Sequence, residues 1–179
     1  GVHALGQVAH FKTRAELTTT EFQRAFNALL PPAIRVVAAE EVGPDFHARW
    51  QALAKTYHYR IYRGRVVPPF EWRYVLHYPY PLDVEAMRAA AQLFEGEHDF
   101  SSFAASSGSE EDDRERATVR VIYRSELADD GDLLTYMVRG RAFLRWPRAR
   151  LPEVAAVAGS NHAEIGFQLS DELDADGRR

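Results

Sequence analysis

Apolar and polar residues alternate along this chain with two different periods, and the switches between them mark its elements. Residues 6–13, reading GQVAHFKT, alternate as a half-buried strand does. Thr18-x-x-Glu21 then forms a capping box, in which hydroxyl and carboxylate each satisfy an N–H at the start of a helix. That helix is predicted to run to Leu30, with Phe22, Phe26 and Leu29/Leu30 on one stripe. Pro31 and Pro32 stop it, having no N–H for the ladder. Residues 34–42 read as a strand, closed by a turn at Gly43-Pro44.

The clearest period-two signal is 55–63, KTYHYRIYR, which puts Tyr57, Tyr59 and Ile61 on one face and His58, Arg60 and Tyr62 on the other. Prolines break 66–70 into a loop, and 73–78 reads as another strand. Asp83 caps a helix whose apolar positions are Val84, Met87, Ala91 and Phe94, ending near Gly96. A long polar loop is predicted over 101–115. Strands at 117–127 and 132–139 follow, joined as a hairpin across Asp129-Asp130-Gly131. Past Trp146 the periodicity fades, with a short helix predicted at 151–158 and a frayed tail from 171. Strands mixed with two helices in this order predict an α+β (mixed α/β) fold, a largely antiparallel sheet with helices on one side.

With 179 residues, ten Phe, eight Tyr and three Trp, the chain has apolar area enough for one domain or two small halves sharing a core. It holds no cysteine, which excludes disulfides, thiolate zinc sites and cysteine nucleophiles. It holds no run of about 18 apolar residues to span a membrane and no basic-then-apolar leader, so a cytoplasmic location is the default expectation. The chain opens at Gly1, with Met87 and Met137 its only methionines, and further residues are expected upstream.

The net charge of −4 hides a division. From residue 46 to 74 there are six basic residues (Arg49, Lys55, Arg60, Arg63, Arg65, Arg73) against the single acid Glu71. Acids gather instead at 109–116 and in the tail. A basic stretch interleaved with aromatics suits a local phosphate-binding surface, and equally a solvated strand face.

Other chemistry is poorly provided for. The seven histidines lack HxxxH or HExxH spacing, so no metal is expected. The serines lack a GxSxG setting, and neither GxGxxG nor GxxxxGK[ST] occurs. Glu97-His98-Asp99-Phe100 has the look of a dyad, but its place after a helix favours local hydrogen bonding.

Five motifs remain, in order: Gly1-Val2-His3-Ala4-x-Gly6-Gln7-Val8-Ala9-His10-Phe11; Asp45-Phe46-His47-Ala48-Arg49, preceded by Leu30-Pro31; Lys55-x-Tyr57-x-Tyr59; Phe94-x-Gly96-x-His98-Asp99-Phe100-x-x-Phe103; and Gly140-x-Ala142-Phe143-Leu144. Over about 145 residues this series resembles the tRNA pseudouridine synthases of the TruA type. The resemblance implies the pseudouridine-synthase fold, built from two ferredoxin-like halves on a shared mixed sheet, here truncated. Residues 1–45 would end the first half, 46–146 would hold the second with the central sheet, and 147–179 would be an atypical tail. The family's nucleophilic aspartate, in Arg-Thr-Asp-x-Gly-Val-His-Ala, would fall two residues before Gly1, so no catalytic aspartate is expected within the chain. After Leu144 the family's continuation is replaced by Arg145-Trp146-Pro147-Arg148-Ala149-Arg150, which points to a reading-frame shift near Arg145.

What the resemblance implies for activity is an isomerisation of uridine to pseudouridine, at positions 38 to 40 of the tRNA anticodon stem-loop, by a homodimer using no metal or cofactor. Tyr57 matches the family's active-site tyrosine, whose ring can lie on a flipped base and whose hydroxyl can hydrogen-bond or move a proton. On strand pattern alone it would be a core tyrosine. Arg49 is implied as a phosphate or carboxylate partner, and His47, Lys55 and Arg60 as substrate-binding residues, with Arg63 and Arg65 further candidates on charge. His3 would shape the loop beside the nucleophile. The chain alone is then expected to be inactive. The competing readings are a non-catalytic RNA-binding relative and a small protein-interaction domain working through the acidic loop 109–116.

Overall fold

The computed structural model describes residues 3–103, 118–141, 143 and 168–171, which fall into two compact units: Val8–Gln51, and Gly1–Gln7 with Ala52–Arg179. The acidic loop 109–116, most of the 101–115 loop and the helix predicted at 151–158 lie outside the described residues.

In the unit Val8–Gln51 one helix dominates, α1 (Thr19–Leu29). Its start is the one the sequence specifies. The Thr18 hydroxyl accepts from the Glu21 N–H at 3.3 Å, while the Glu21 carboxylate accepts from the Thr18 N–H at 2.8 Å. Phe22 and Phe26 meet Phe11 edge-on, ring centres 5.6 and 5.5 Å apart. Two predicted strands are absent here. Residues 7–13 carry no regular structure, and neither do 34–42. In the second case the reason is visible, because the backbone is already satisfied by α1. Asn27 accepts from the Val36 N–H at 2.8 Å and donates to its carbonyl at 2.9 Å, and Gln23 donates to the Val37 carbonyl at 2.6 Å. A strand partner would compete for the same groups.

Among its described residues the other unit holds a seven-stranded mixed sheet. Its strands are β1 (His3–Gly6), β2 (Lys55–Tyr62), β3 (Leu76–His77), β4 (Gly96–Asp99), β5 (Val119–Asp130), β6 (Leu133–Gly140) and β7 (Gln168–Asp171). They lie in the order β1-β7-β2-β6-β5-β4, with β3 parallel to the far end of β2. β1 runs parallel to β7, and the remaining pairs are antiparallel. The strand predicted at 73–78 shrinks to β3, since two successive turns occupy 68–74. β7 arises within 147–179, where no strand is predicted.

β2 carries the core. Its face bearing Tyr59 and Ile61 packs with Leu134, Tyr136, Leu127 and Tyr78, and with Val84 and Met87 of α2 (Val84–Gln92), which Asp83 caps as expected. Leu134 is completely buried. Ser125, also buried, is satisfied twice: its hydroxyl meets the Tyr136 hydroxyl at 2.9 Å and its N–H donates to Glu95 at 2.9 Å. A second cluster joins Phe100 and Ile122 to Phe94, Phe103, Val138 and Phe143.

Two motif glycines have steric causes. Gly96 turns the chain from α2 into β4 with φ of +104°, a region that side chains strain to enter. At Gly140 a Cβ would lie 2.9 Å from the Val121 carbonyl oxygen and 3.0 Å from the Ile122 side chain. That crowding sits beside a bulge in β5, where the register jumps between Ile122 and Arg124.

Candidate functional site

Period-two geometry places Tyr57 on the core face of β2, level with Val138 of β6, and its ring meets Phe143 edge-on with centres 4.8 Å apart. It is half-buried, at the end of the face away from α2. Lys55, two residues earlier, projects to the same side at the strand's start, level with Gly140, and has no ion-pair partner among the described residues. Tyr57 and Lys55 are therefore neighbours on one face.

Arg60 lies on the opposite face. Its guanidinium is 2.8 Å from a Glu71 carboxylate oxygen, an ion pair not aligned as a hydrogen bond. Arg63 is also engaged internally, holding Asp129 and the Gly131 carbonyl at the β5–β6 turn. Arg65 is exposed. Of the basic run, then, two members already have acidic partners within the sheet unit.

The first strand bears on Tyr57 through register. Ala4 pairs with Leu169, and Leu169 pairs with Tyr57, so the three form one line across β1, β7 and β2. Two strand spacings put the Ala4 and Tyr57 backbones about 10 Å apart. His3 falls on the other face of β1, its ring centre 4.6 Å from that of Tyr74.

His47 and Arg49 belong to the unit Val8–Gln51, where Asp45-Phe46-His47-Ala48-Arg49 is a pair of tight turns. The Phe46 N–H donates to the Gly43 carbonyl at 3.0 Å, and the Gln51 N–H to the His47 carbonyl at 3.0 Å. His47 caps the second turn, its Nδ1 accepting from the Arg49 and Trp50 N–H groups at 3.2 and 3.3 Å. His10 does likewise for Ala48 at 3.4 Å, with the two imidazole centres 4.4 Å apart. A histidine cap accepts through one ring nitrogen, leaving Nε2 to carry the proton. Arg49 is exposed and lies over the indole of Trp50, 5.2 Å from its centre.

The remaining motif, His98-Asp99-Phe100, is held by its own surroundings. His98 Nε2 meets the Glu95 carbonyl at 2.7 Å, and Phe100 is buried in the second cluster. Hydrogen bonds from the Thr118 side chain and then the Ser101 N–H hold the Asp99 carboxyl below its ordinary range. Those contacts fix the step from β4 into the single 3₁₀ turn Ser101–Phe103.

Two features have no announcement in the sequence pattern. Phe143 becomes the neighbour of Tyr57 only through the folded sheet. The pairing of an arginine with the adjacent tryptophan, at Arg49-Trp50 and again at Arg73-Trp72, is legible only as adjacency.

Residues 90–146 match a family model described as tRNA pseudouridine synthase. The chain is 51% identical over 145 residues to "tRNA pseudouridine synthase A" of Solibacter usitatus, covering 81% of this chain and 60% of that protein. It is 45% identical over 144 residues to the protein of the same name from a Geobacillus species, covering 80% and 56%. With "tRNA pseudouridine synthase A 1" of Desulfotalea psychrophila the identity is 43% over 148 residues, covering 81% and 59%. The chain thus spans about three fifths of the length of these curated relatives.

Proposed function

Over the span it shares with these relatives the chain belongs to the tRNA pseudouridine synthase family, and we propose that it supplies the Tyr57 side of a site that isomerises uridine to pseudouridine in tRNA. In that reaction the bond between ribose C1′ and uracil N1 breaks, the base turns, and C5 bonds to C1′. The C5 proton is lost to water and N1 regains one. The detached base must be kept from diffusing while it turns. A half-buried tyrosine at the end of an aromatic face, its ring set by Phe143, suits that task by packing and through its hydroxyl.

The observation carrying this reading is the register line from Ala4 through Leu169 to Tyr57. In the family pattern the nucleophilic aspartate precedes Gly1 by two residues, and β1 begins at His3. The carboxylate would thus enter along a strand that shares a sheet with Tyr57. Lys55 on the same face would favour its ionised form or hold a phosphate. Arg49, with its weakly hydrated guanidinium in solvent, is assigned to the RNA backbone, and His47 to presenting it. The reading includes ferredoxin-like halves, with 46–146 holding most of the second, a homodimeric state, the anticodon stem-loop as target and the cytoplasm as compartment.

On this reading the aspartate lies upstream of Gly1, so the 179 residues by themselves are expected to release no tritium from tRNA carrying 5-tritiated uridine. Preceded by the N-terminal part of a relative that carries the family's Arg-Thr-Asp-x pattern, the chain is expected to do so. A silent chimera that nonetheless folds and binds tRNA would defeat the proposal.

A further inference from the structure

On the face of β2 opposite Tyr57 the chain between β2 and β3 makes a loop whose tip is apolar and yet fixed. The Glu71 N–H donates to the Pro68 carbonyl at 3.0 Å and the Tyr74 N–H to the Glu71 carbonyl at 2.8 Å, giving two turns hinged on Glu71. The Glu71 carboxylate is pinned to Arg60 of β2, and the Tyr74 ring to His3 of β1. What this frame presents to solvent is Phe70, 90% exposed, and Trp72, 61% exposed. Arg73 lies over the Trp72 indole, 5.2 Å from its centre.

Large rings held in water gain nothing from burial within the unit, so their fixed presentation points to a partner. The charge around them selects its kind. The one acid within the loop itself, Glu71, is already matched by Arg60, while Arg65 and Arg73 have no ion-pair partner among the described residues. An indole with a guanidinium on it, in a loop that carries a second unmatched arginine, is matched to a planar base on a phosphate chain, through stacking and charge together. A second copy of the chain fits less well, since a two-fold contact centred here would set Arg73 against Arg73.

We infer that the Phe70–Trp72–Arg73 tip is a stacking platform for unpaired bases of the RNA, separate from the Tyr57 face. The inference rests on the tRNA reading above and adds to it a second contact. It is tested on the 179-residue chain with tRNA as the probe, by gel shift across a salt series. Trp72→Ala should weaken binding about tenfold with an unchanged salt slope, and Trp72→Phe should recover most of it. Arg73→Ala should lower the slope by about one phosphate. In a chain with Trp50→Phe and Trp146→Phe, Trp72 emission should be quenched by tRNA and by oligouridylate, a readout that needs no loss of the ring.

If the unsubstituted chain binds tRNA while Trp72→Ala binds equally well, or if Trp72 emission is unmoved, the platform falls and the tRNA reading stands. If the unsubstituted chain does not bind tRNA, both fall. If Trp72→Ala instead abolishes a concentration-dependent dimer and leaves tRNA affinity intact, the tip serves self-association and the inference is overturned.

Discussion

Ala4 and Tyr57 stand on one register line of the sheet, separated only by the backbone of Leu169. Their strands lie far apart in sequence and are joined by β7, so the relationship depends on all three strands being in place. The separation of about 10 Å exceeds the reach of a disulfide, which needs Cα atoms within about 7 Å. Because the chain has no cysteine of its own, Ala4→Cys with Tyr57→Cys is a clean pair. A bismaleimide of matching span should link the two intramolecularly, while mild oxidation should form no bond. Efficient direct oxidation, or no linking at all, would contradict the register.

The capping box of α1 carries a second expectation. The Thr18 backbone N–H and then its hydroxyl hold the Glu21 carboxyl below its ordinary range. A carboxyl depressed in the folded state adds stability above its unfolded pKa and loses it as pH falls through the folded value. Helix stability should therefore decline below about pH 4.5, the ordinary value for this group. Thr18→Ala should cost about 1 kcal/mol near neutrality, and the acid decline should flatten with it. Circular dichroism melts at pH 7 and pH 3 measure both.

The difference between what was legible here and what was not is one of range. The capping box is four residues long, so α1 can be read locally, and the alternation of 55–63 fixes which side of β2 Tyr57 occupies. By contrast, β1 is a strand at His3–Gly6 rather than over 6–13 because its partner, β7, begins at Gln168, and no local pattern announces that pairing. Residues 34–42 have strand composition but lose their backbone groups to Asn27 and Gln23. At the candidate site the same holds: Tyr57 could be named from its motif, whereas Phe143 against its ring, and Glu71 against Arg60, exist only after folding.

Gly140 offers a stability test of a motif position. A Cβ there meets the Val121 carbonyl oxygen at 2.9 Å, a backbone atom that cannot rotate away, with the Ile122 and Phe143 side chains at 3.0 and 3.2 Å. Gly140→Ala should destabilise the sheet unit by about 1–3 kcal/mol, the range for overpacking, despite alanine's lower chain entropy when unfolded. A denaturant midpoint unchanged from the parent would show that the bulge in β5 relaxes freely.

Burial pushes the Tyr59 hydroxyl up to about 12 from an ordinary 10. In the unfolded chain it ionises first, so protons are released on unfolding between those values and stability falls as pH rises from 10 to 12. Tyr59→Phe should remove that part of the alkaline loss. Urea midpoints at pH 8 and pH 11 should then lie closer together in the variant than in the parent. Equal spacing in both would mean that this hydroxyl titrates normally.

The last expectation separates packing from proton chemistry at Tyr57. The ring's edge-on contact with Phe143 does not involve the hydroxyl as a ring partner, so Tyr57→Phe preserves the aromatic face while removing the O–H. In the chimera carrying the relative's N-terminal part, this variant should bind tRNA like the parent yet release tritium about a hundredfold more slowly, within the range for losing a positioned acid–base group. Tyr57→Leu should lower both, because the surface that retains the turning base goes with the ring. If Tyr57→Phe keeps full turnover, the hydroxyl has no part in the chemistry and the residue acts by stacking alone. If Tyr57→Leu also keeps it, the base is held elsewhere, and the line from Ala4 to Tyr57 is architecture without a catalytic purpose.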